Sequence, residues 1–119
     1  MSTVGSTREP TTLQKLDTLM RRRRIFVRPG LTLWELAAEL GVTAHRLSEL
    51  LNDYIGMSFY DYLDSFRVAE ASTLLLQRSD MSVVQVGYRC GYRAKATFYR
   101  RFTAAFGVPP GKYRLRRQR

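Results

Sequence analysis

The chain has 119 residues, 45% of them apolar, with 20 Lys and Arg against 10 Asp and Glu and a formal charge of +10. This length fits one domain, or two very small ones sharing a core. No apolar run approaches the ~18 residues of a membrane-spanning helix, the polar N-terminus predicts no signal peptide, and a lone cysteine excludes an internal disulfide. The cationic excess points to a polyanionic partner, nucleic acid ahead of a membrane surface, in a reducing, cytoplasmic setting. The charge is unevenly placed. Residues 29–80 hold three bases (Arg46, Arg67, Arg78) against eight acids, whereas residues 81–119 hold ten bases and no acid.

In chain order, residues 1–10 are small and polar and are expected to be a disordered tail. Leu13, Leu16, Leu19 or Met20, and Phe26 predict a first helix from about Thr12 to Phe26. It carries the run Arg21–Arg24, read either as a solvated face or as contact with phosphate or an upstream domain. Pro29-Gly30 is a break. Thr32 with Glu35 is a capping box, Leu33, Leu36, Ala37 and Leu40 form an inward stripe with Trp34 expected to join the core, and Gly41 ends that helix. Thr43 caps the next helix, where Leu47, Leu50, Leu51 and Tyr54 are expected to face in and His45, Ser48, Glu49 and Asn52 to face out. Gly56 closes it. From Ser58, with Asp61 at the capping-box position, a longer helix runs to about Gln77. Phe59, Leu63 and Phe66 lie on one side of it and Val68, Ala71 and Leu75 nearly opposite, which predicts burial from two sides and a bridge between two small bundles.

The stretch from Met81 to Arg114 contains no acid. Val83, Val86 and Cys90, then Phe98, Phe102 and Phe106, recur at helical spacing on either side of Gly91, and Ser82 with Gln85 forms a capping box. A helix backed by phenylalanines, following a glycine turn and presenting Lys95, Tyr99, Arg100 and Thr103, has the design of a DNA recognition helix. A last short helix starts at Pro110, and residues 115–119 are read as a frayed basic tail. The resulting expectation is an all-α chain of about seven helices. Residues 11–57 hold the first helix and one helix-turn-helix unit, 58–78 the bridging helix, and 79–114 a second helix-turn-helix unit.

The two units repeat one another. Ala37 and Gly41 match Gly87 and Gly91 at an offset of 50; Leu47, Leu51, Ile55, Gly56 and Tyr62 match Phe98, Phe102, Phe106, Gly107 and Tyr113 at an offset of 51. A duplicated unit this regular is hard to explain as chance. A bridge of about 20 residues spans roughly 30 Å, close to the ~34 Å between successive major grooves, so the spacing predicts two recognition helices in adjacent grooves.

Residues 31–114 resemble the AraC/XylS-type bacterial transcription regulators. The similarity lies in LTLWELAAELG, in LSELLNDYIGMSFYDYLDSFRVAEASTLLL, and most specifically in Gly91-Tyr92, Phe98, Arg100, Phe102, Phe106-Gly107-Val108, Pro110 and Tyr113-Arg114. The resemblance implies a monomeric, seven-helix domain with two homeodomain-like helix-turn-helix subdomains that binds double-stranded DNA and usually activates transcription, with RNA polymerase as a partner. It places base reading at Ala44, His45, Ser48 and Glu49 in the first unit and at Lys95, Ala96, Thr97 and Arg100 in the second. It also implies that phosphates approach the helix starts near Ser58 and Pro110. Family members usually carry a sensor or dimerisation domain upstream. This chain is read either as a short stand-alone member or as an excised C-terminal piece; its entry into the domain resembles members fused to larger sensor or membrane regions, which favours the piece. Arg93-Ala94 depart from the family, which usually has a capping Ser there.

Arg100 is read as bidentate to guanine or as a phosphate contact. Lys95 and Thr97 read bases or stay in solvent. Arg46, Arg93, Tyr99, Arg101, Lys112 and Arg114 are expected on phosphates, with Ser58. His45, the only histidine, contacts DNA or is simply exposed; no metal site is expected, because no second histidine or cysteine pair accompanies it. Cys90 is expected in the core. The acids Glu39, Glu49 and Asp53 form a solvated face or a polymerase-docking surface. No catalytic set is recognisable, and no cofactor is expected. The alternative to a sequence reader is a basic helical module binding protein or membrane. The charge asymmetry predicts that the second unit supplies most of the DNA affinity and the first tunes specificity.

Overall fold

The computed structural model describes residues 11–117. Among these, seven α-helices and no strands are present: α1 (Thr12–Arg21), α2 (Leu33–Leu40), α3 (Ala44–Leu50), α4 (Phe59–Gln77), α5 (Val83–Arg89), α6 (Lys95–Phe106) and α7 (Pro110–Arg117). The expected disordered tail, residues 1–10, lies outside the described residues.

The chain divides into two units: residues up to Ile25 with Leu31–Phe59, and Phe26–Gly30 with the residues from Tyr60 onward. In the first unit, Thr11 caps α1 through a full capping box with Gln14. Helix α1 stops at Arg21, short of the expected Phe26, and the chain crosses a left-handed residue, Arg24 (φ 53°), into a single 3-10 turn over Ile25–Val27. The Thr32–Glu35 box starts α2, and Gly41 ends it in the left-handed conformation. Leu16, Met20, Leu36, Ala37, Leu40, Leu47, Leu50 and Leu51 are buried. Trp34, expected in the core, is 69% exposed; it sits off the Leu36–Ala37–Leu40 stripe, which fills the interior without it. Tyr54, also expected inward, is 70% exposed. Helix α3 gives way at Leu51 to a wide π-turn over Leu51–Ile55, closed by the Gly56 N–H donating to the Leu51 carbonyl at 2.7 Å. One extra residue in that turn rotates Tyr54 out of phase with Leu47 and Leu50.

In the second unit, the C-terminal half of α4 supplies Val68, Ala71 and Leu75 to a core with Val86, Cys90, Tyr92, Phe98 and Phe102. The segment Phe26–Gly30 joins this unit because α4 holds it. The buried Arg67 donates from Nε to the Phe26 carbonyl (2.7 Å) and from Nη2 to the Arg28 carbonyl (2.9 Å), and the Phe26 ring stacks on Phe66. Burial pulls the Arg67 guanidinium below its ordinary value, while the neighbouring Tyr92 and Asp64 oppose the shift. The Ser82–Gln85 box opens α5 as expected. Phe106 continues the aromatic stack on Phe102 and Tyr113, but at the rim, 38% exposed. Leu115–Arg117, expected to fray, extend α7.

The repeat is visible in each unit taken alone. Leu47 and Phe98 are buried, as are Leu51 and Phe102, and Gly56 and Gly107 both sit at φ 78°.

Candidate nucleic-acid interface

In the first unit, Thr43 Oγ1 accepts the Arg46 amide N–H at 3.0 Å and starts α3 in register. With Leu47 and Leu50 inward, His45, Arg46 and Glu49 are exposed and Ser48 is half-buried, all on α3, which begins at Ala44. Glu49 is the hub of this face. One carboxylate oxygen lies 3.4 Å from His45 Nε2 and the other 3.6 Å from Arg46 Nη1. The charge that Arg46 would offer a phosphate is therefore shared with a neighbouring carboxylate. Ser58 is exposed directly before α4.

In the second unit, Phe98 and Phe102 anchor α6, and the opposite face presents Lys95, Ala96 and Arg100 to solvent, with Thr97 and Tyr99 half-buried. The Lys95 ammonium lies 5.3 Å from the centre of the Tyr99 ring. Ala94 occupies the N-cap position and makes no side-chain cap, leaving the first-turn N–H groups of α6 without that acceptor. Arg93 is exposed and lies with Nη2 3.5 Å from the Pro29 carbonyl. Lys112 is exposed on α7. The face thus joins Lys95, Ala96, Thr97 and Arg100 on one helix, with Arg93 just ahead of it.

Two of the cations expected on phosphates have partners inside the protein. Arg114 donates from Nε to the Leu75 carbonyl (2.8 Å) in the last turn of α4 and from Nη2 to the Arg78 carbonyl (3.1 Å) just beyond it. Arg101 Nε lies 3.1 Å from Asp64 and its Nη1 3.8 Å from Asp61. The Asp64 carboxylate also accepts from the Tyr92 hydroxyl at 2.5 Å. Burial, followed by Asp64, pushes the Tyr92 phenol far above its ordinary value, so it stays a neutral donor. Sequence reasoning did not identify Asp64, Tyr92 or Arg67 as organising residues. Arg67 carried one signal: a guanidinium between Phe66 and Val68 in a helix apolar on two sides has to find carbonyls. Among the described residues, no group of His, Cys, Asp and Glu could hold a metal ion, and no helix is long and apolar enough to cross a membrane.

An apolar-backed, cationic helix following a capped helix and a glycine turn defines a helix-turn-helix DNA-binding domain, and the comparisons agree. Residues 36–116 match the family model described as a helix-turn-helix domain. The chain is 34% identical over 88 residues to the uncharacterized HTH-type transcriptional regulator YpdC of Escherichia coli, a match covering 74% of this chain and 30% of that protein. The chain therefore spans less than a third of the length of that relative. Among solved structures, the C-terminal domain of AraT, a response regulator from Geobacillus stearothermophilus, superimposes with a TM-score of 0.80 at 28% identity, over 94% of this chain and 88% of that one. The DNA-binding domain of AdpA, solved with a target DNA, shares the fold with a TM-score of 0.77 at 24% identity, over 89% of this chain and 92% of that one. The chain belongs to the AraC-type helix-turn-helix family of transcription regulators.

Proposed function

We propose that this domain directs a larger bacterial regulator to specific sites on duplex DNA and activates transcription there, with RNA polymerase as a second partner and without catalysis of its own. The observation that carries this reading is the exposed face of α6: Lys95, Ala96 and Arg100 in solvent, Phe98 and Phe102 beneath, and no acidic residue between 81 and 119. Helix α6 reads bases in a major groove through Lys95, Ala96, Thr97 and Arg100, with Arg100 bidentate to guanine and Ala96 limited to a thymine methyl. Helix α3 reads a second groove through His45, Ser48 and Glu49. Arg46, Ser58, Arg93, Tyr99 and Lys112 hold phosphates, whereas Arg101 and Arg114 serve the protein's own structure. The setting is cytoplasmic, and the domain acts as a monomer attached to an upstream sensor or dimerisation region.

Selection from a pool of random duplexes tests this. The expected product is one preferred site with a footprint of about two helical turns, bound with affinity that falls steeply with salt. Equal affinity for heparin and for every duplex would contradict it.

A further inference from the structure

Asp64 lies on α4, outside every residue assigned to DNA above. Its carboxylate nevertheless joins two points of the recognition apparatus. One oxygen accepts from Tyr92, two residues before the N-cap of α6; the other meets Arg101, in the second turn of α6 and adjacent to Arg100. The site is sheltered: the Asp64 side chain is 18% exposed against 64% for Asp61, the more distant carboxylate. Tyr92 is buried, with its ring 5.4 Å from that of Phe98 and the Arg67 guanidinium over its face. Asp64, Arg101, Ala94 and Thr97 line one pocket, so the carboxylate stands beside the reading end of α6. A fully exposed ion pair would contribute little. A sheltered carboxylate with two donors, one of them charged, is the stronger kind of contact. It also stands where α6 lacks a side-chain cap, so the entry of that helix is fixed by this bridge rather than by an N-cap hydrogen bond.

We infer that Asp64 is a positioning residue for base reading: by holding Tyr92 and Arg101 together it fixes the entry and roll of α6. This rests on the DNA-reading function proposed above. The residue touches no base itself.

The test uses the full chain, the duplex that the wild-type protein selects from a random pool, and an unselected duplex of equal length. Asp64→Asn keeps the shape of the side chain, and Tyr92→Phe keeps the buried ring, so misfolding of one variant leaves the other. Each should lower the ratio of affinities, selected over unselected, by about tenfold, with the salt slope unchanged. A purely structural loss would reduce the folded fraction and leave that ratio alone. Asp64→Asn combined with Arg101→Met should be no worse than either alone. The inference is overturned if the ratio is unchanged in Asp64→Asn. It is equally overturned if Asp64→Asn tightens binding to both duplexes while Arg101→Met lowers the salt slope by about one, the mark of a phosphate ligand. If the wild-type chain does not discriminate between duplexes, the base-reading proposal is what fails. Amide exchange then judges the bridge: faster exchange over residues 95–102 in Asp64→Asn upholds it, and unchanged exchange overturns it.

Discussion

The two helix-turn-helix units follow one plan with different materials. The first has an aliphatic core, a threonine cap on its recognition helix, and an outer face whose one clear carboxylate, Glu49, engages both His45 and Arg46. The second has an aromatic core, no cap on α6, and an outer face free of acids. The first recognition helix runs seven residues before a wide turn; the second runs twelve. The difference teaches that local helix signals and the charge of the outer face are separable. The unit with the better-capped recognition helix has the weaker electrostatic claim on phosphate, and the unit with the stronger claim relies on tertiary contacts to set its helix.

The matched glycines break this comparison most sharply. Gly41 and Gly91 both have positive φ, but a Cβ on Gly41 would meet nothing within 4 Å, whereas one on Gly91 would lie 2.7 Å from the Phe26 carbonyl oxygen. Gly41→Ala should cost about 1 kcal/mol. Gly91→Ala adds a backbone clash to the same strain and should cost about 3 kcal/mol or more in urea unfolding. Next comes the Ala37/Gly87 pair. The first unit accommodates a methyl where Ala37 is buried, but a Cβ on Gly87 would stand 2.4 Å from the Phe98 ring. Gly87→Ala should cost about 2 kcal/mol. Adding Phe98→Leu, the residue matched by Leu47 in the first unit, should make the alanine less damaging than it is alone.

A smaller effect is expected at the caps, where exchanging the chemistry of the two units should reverse its sign. Thr43→Ala should cost about 1 kcal/mol, and Ala94→Ser should gain about as much, with helicity followed by circular dichroism during thermal unfolding. The smallest effect is expected at the loop before α5. Arg78 holds the Asp80 carboxyl below the usual carboxylate range through a direct hydrogen bond. That pair adds stability at neutral pH, and the contribution is lost as acid passes down through the lowered value. Both groups are in open solvent, so Asp80→Asn should move the urea midpoint less than any other change here, and only above the acid range.

Much of this plan was legible in the chain. The Thr32–Glu35 and Ser82–Gln85 boxes, the Thr43 cap, Gly41 and the Phe98–Phe102 backing follow from spacing alone, because each depends on residues within one or two turns. Trp34 and Tyr54 did not, since periodicity shows which side of a helix is apolar but not how many neighbours that side needs, nor where a π-turn shifts the phase. The long cations resisted for another reason. The side chains of Arg67, Arg93, Arg101 and Arg114 are identical in sequence, yet two find carbonyls at hydrogen-bond distance, one finds a carboxylate, and one has only a 3.5 Å approach to a carbonyl. That choice is made by residues 36 to 64 positions away, which no local pattern encodes.

The central claim is that the second recognition helix supplies most of the affinity for the selected duplex. Dissociation constants of the wild-type chain, Arg100→Ala and His45→Ala for the selected duplex, measured by fluorescence anisotropy at several salt concentrations, test it directly. Arg100→Ala should cost about 1–3 kcal/mol and relax preference at one base position, and His45→Ala should cost less. A larger loss for His45→Ala would contradict the account.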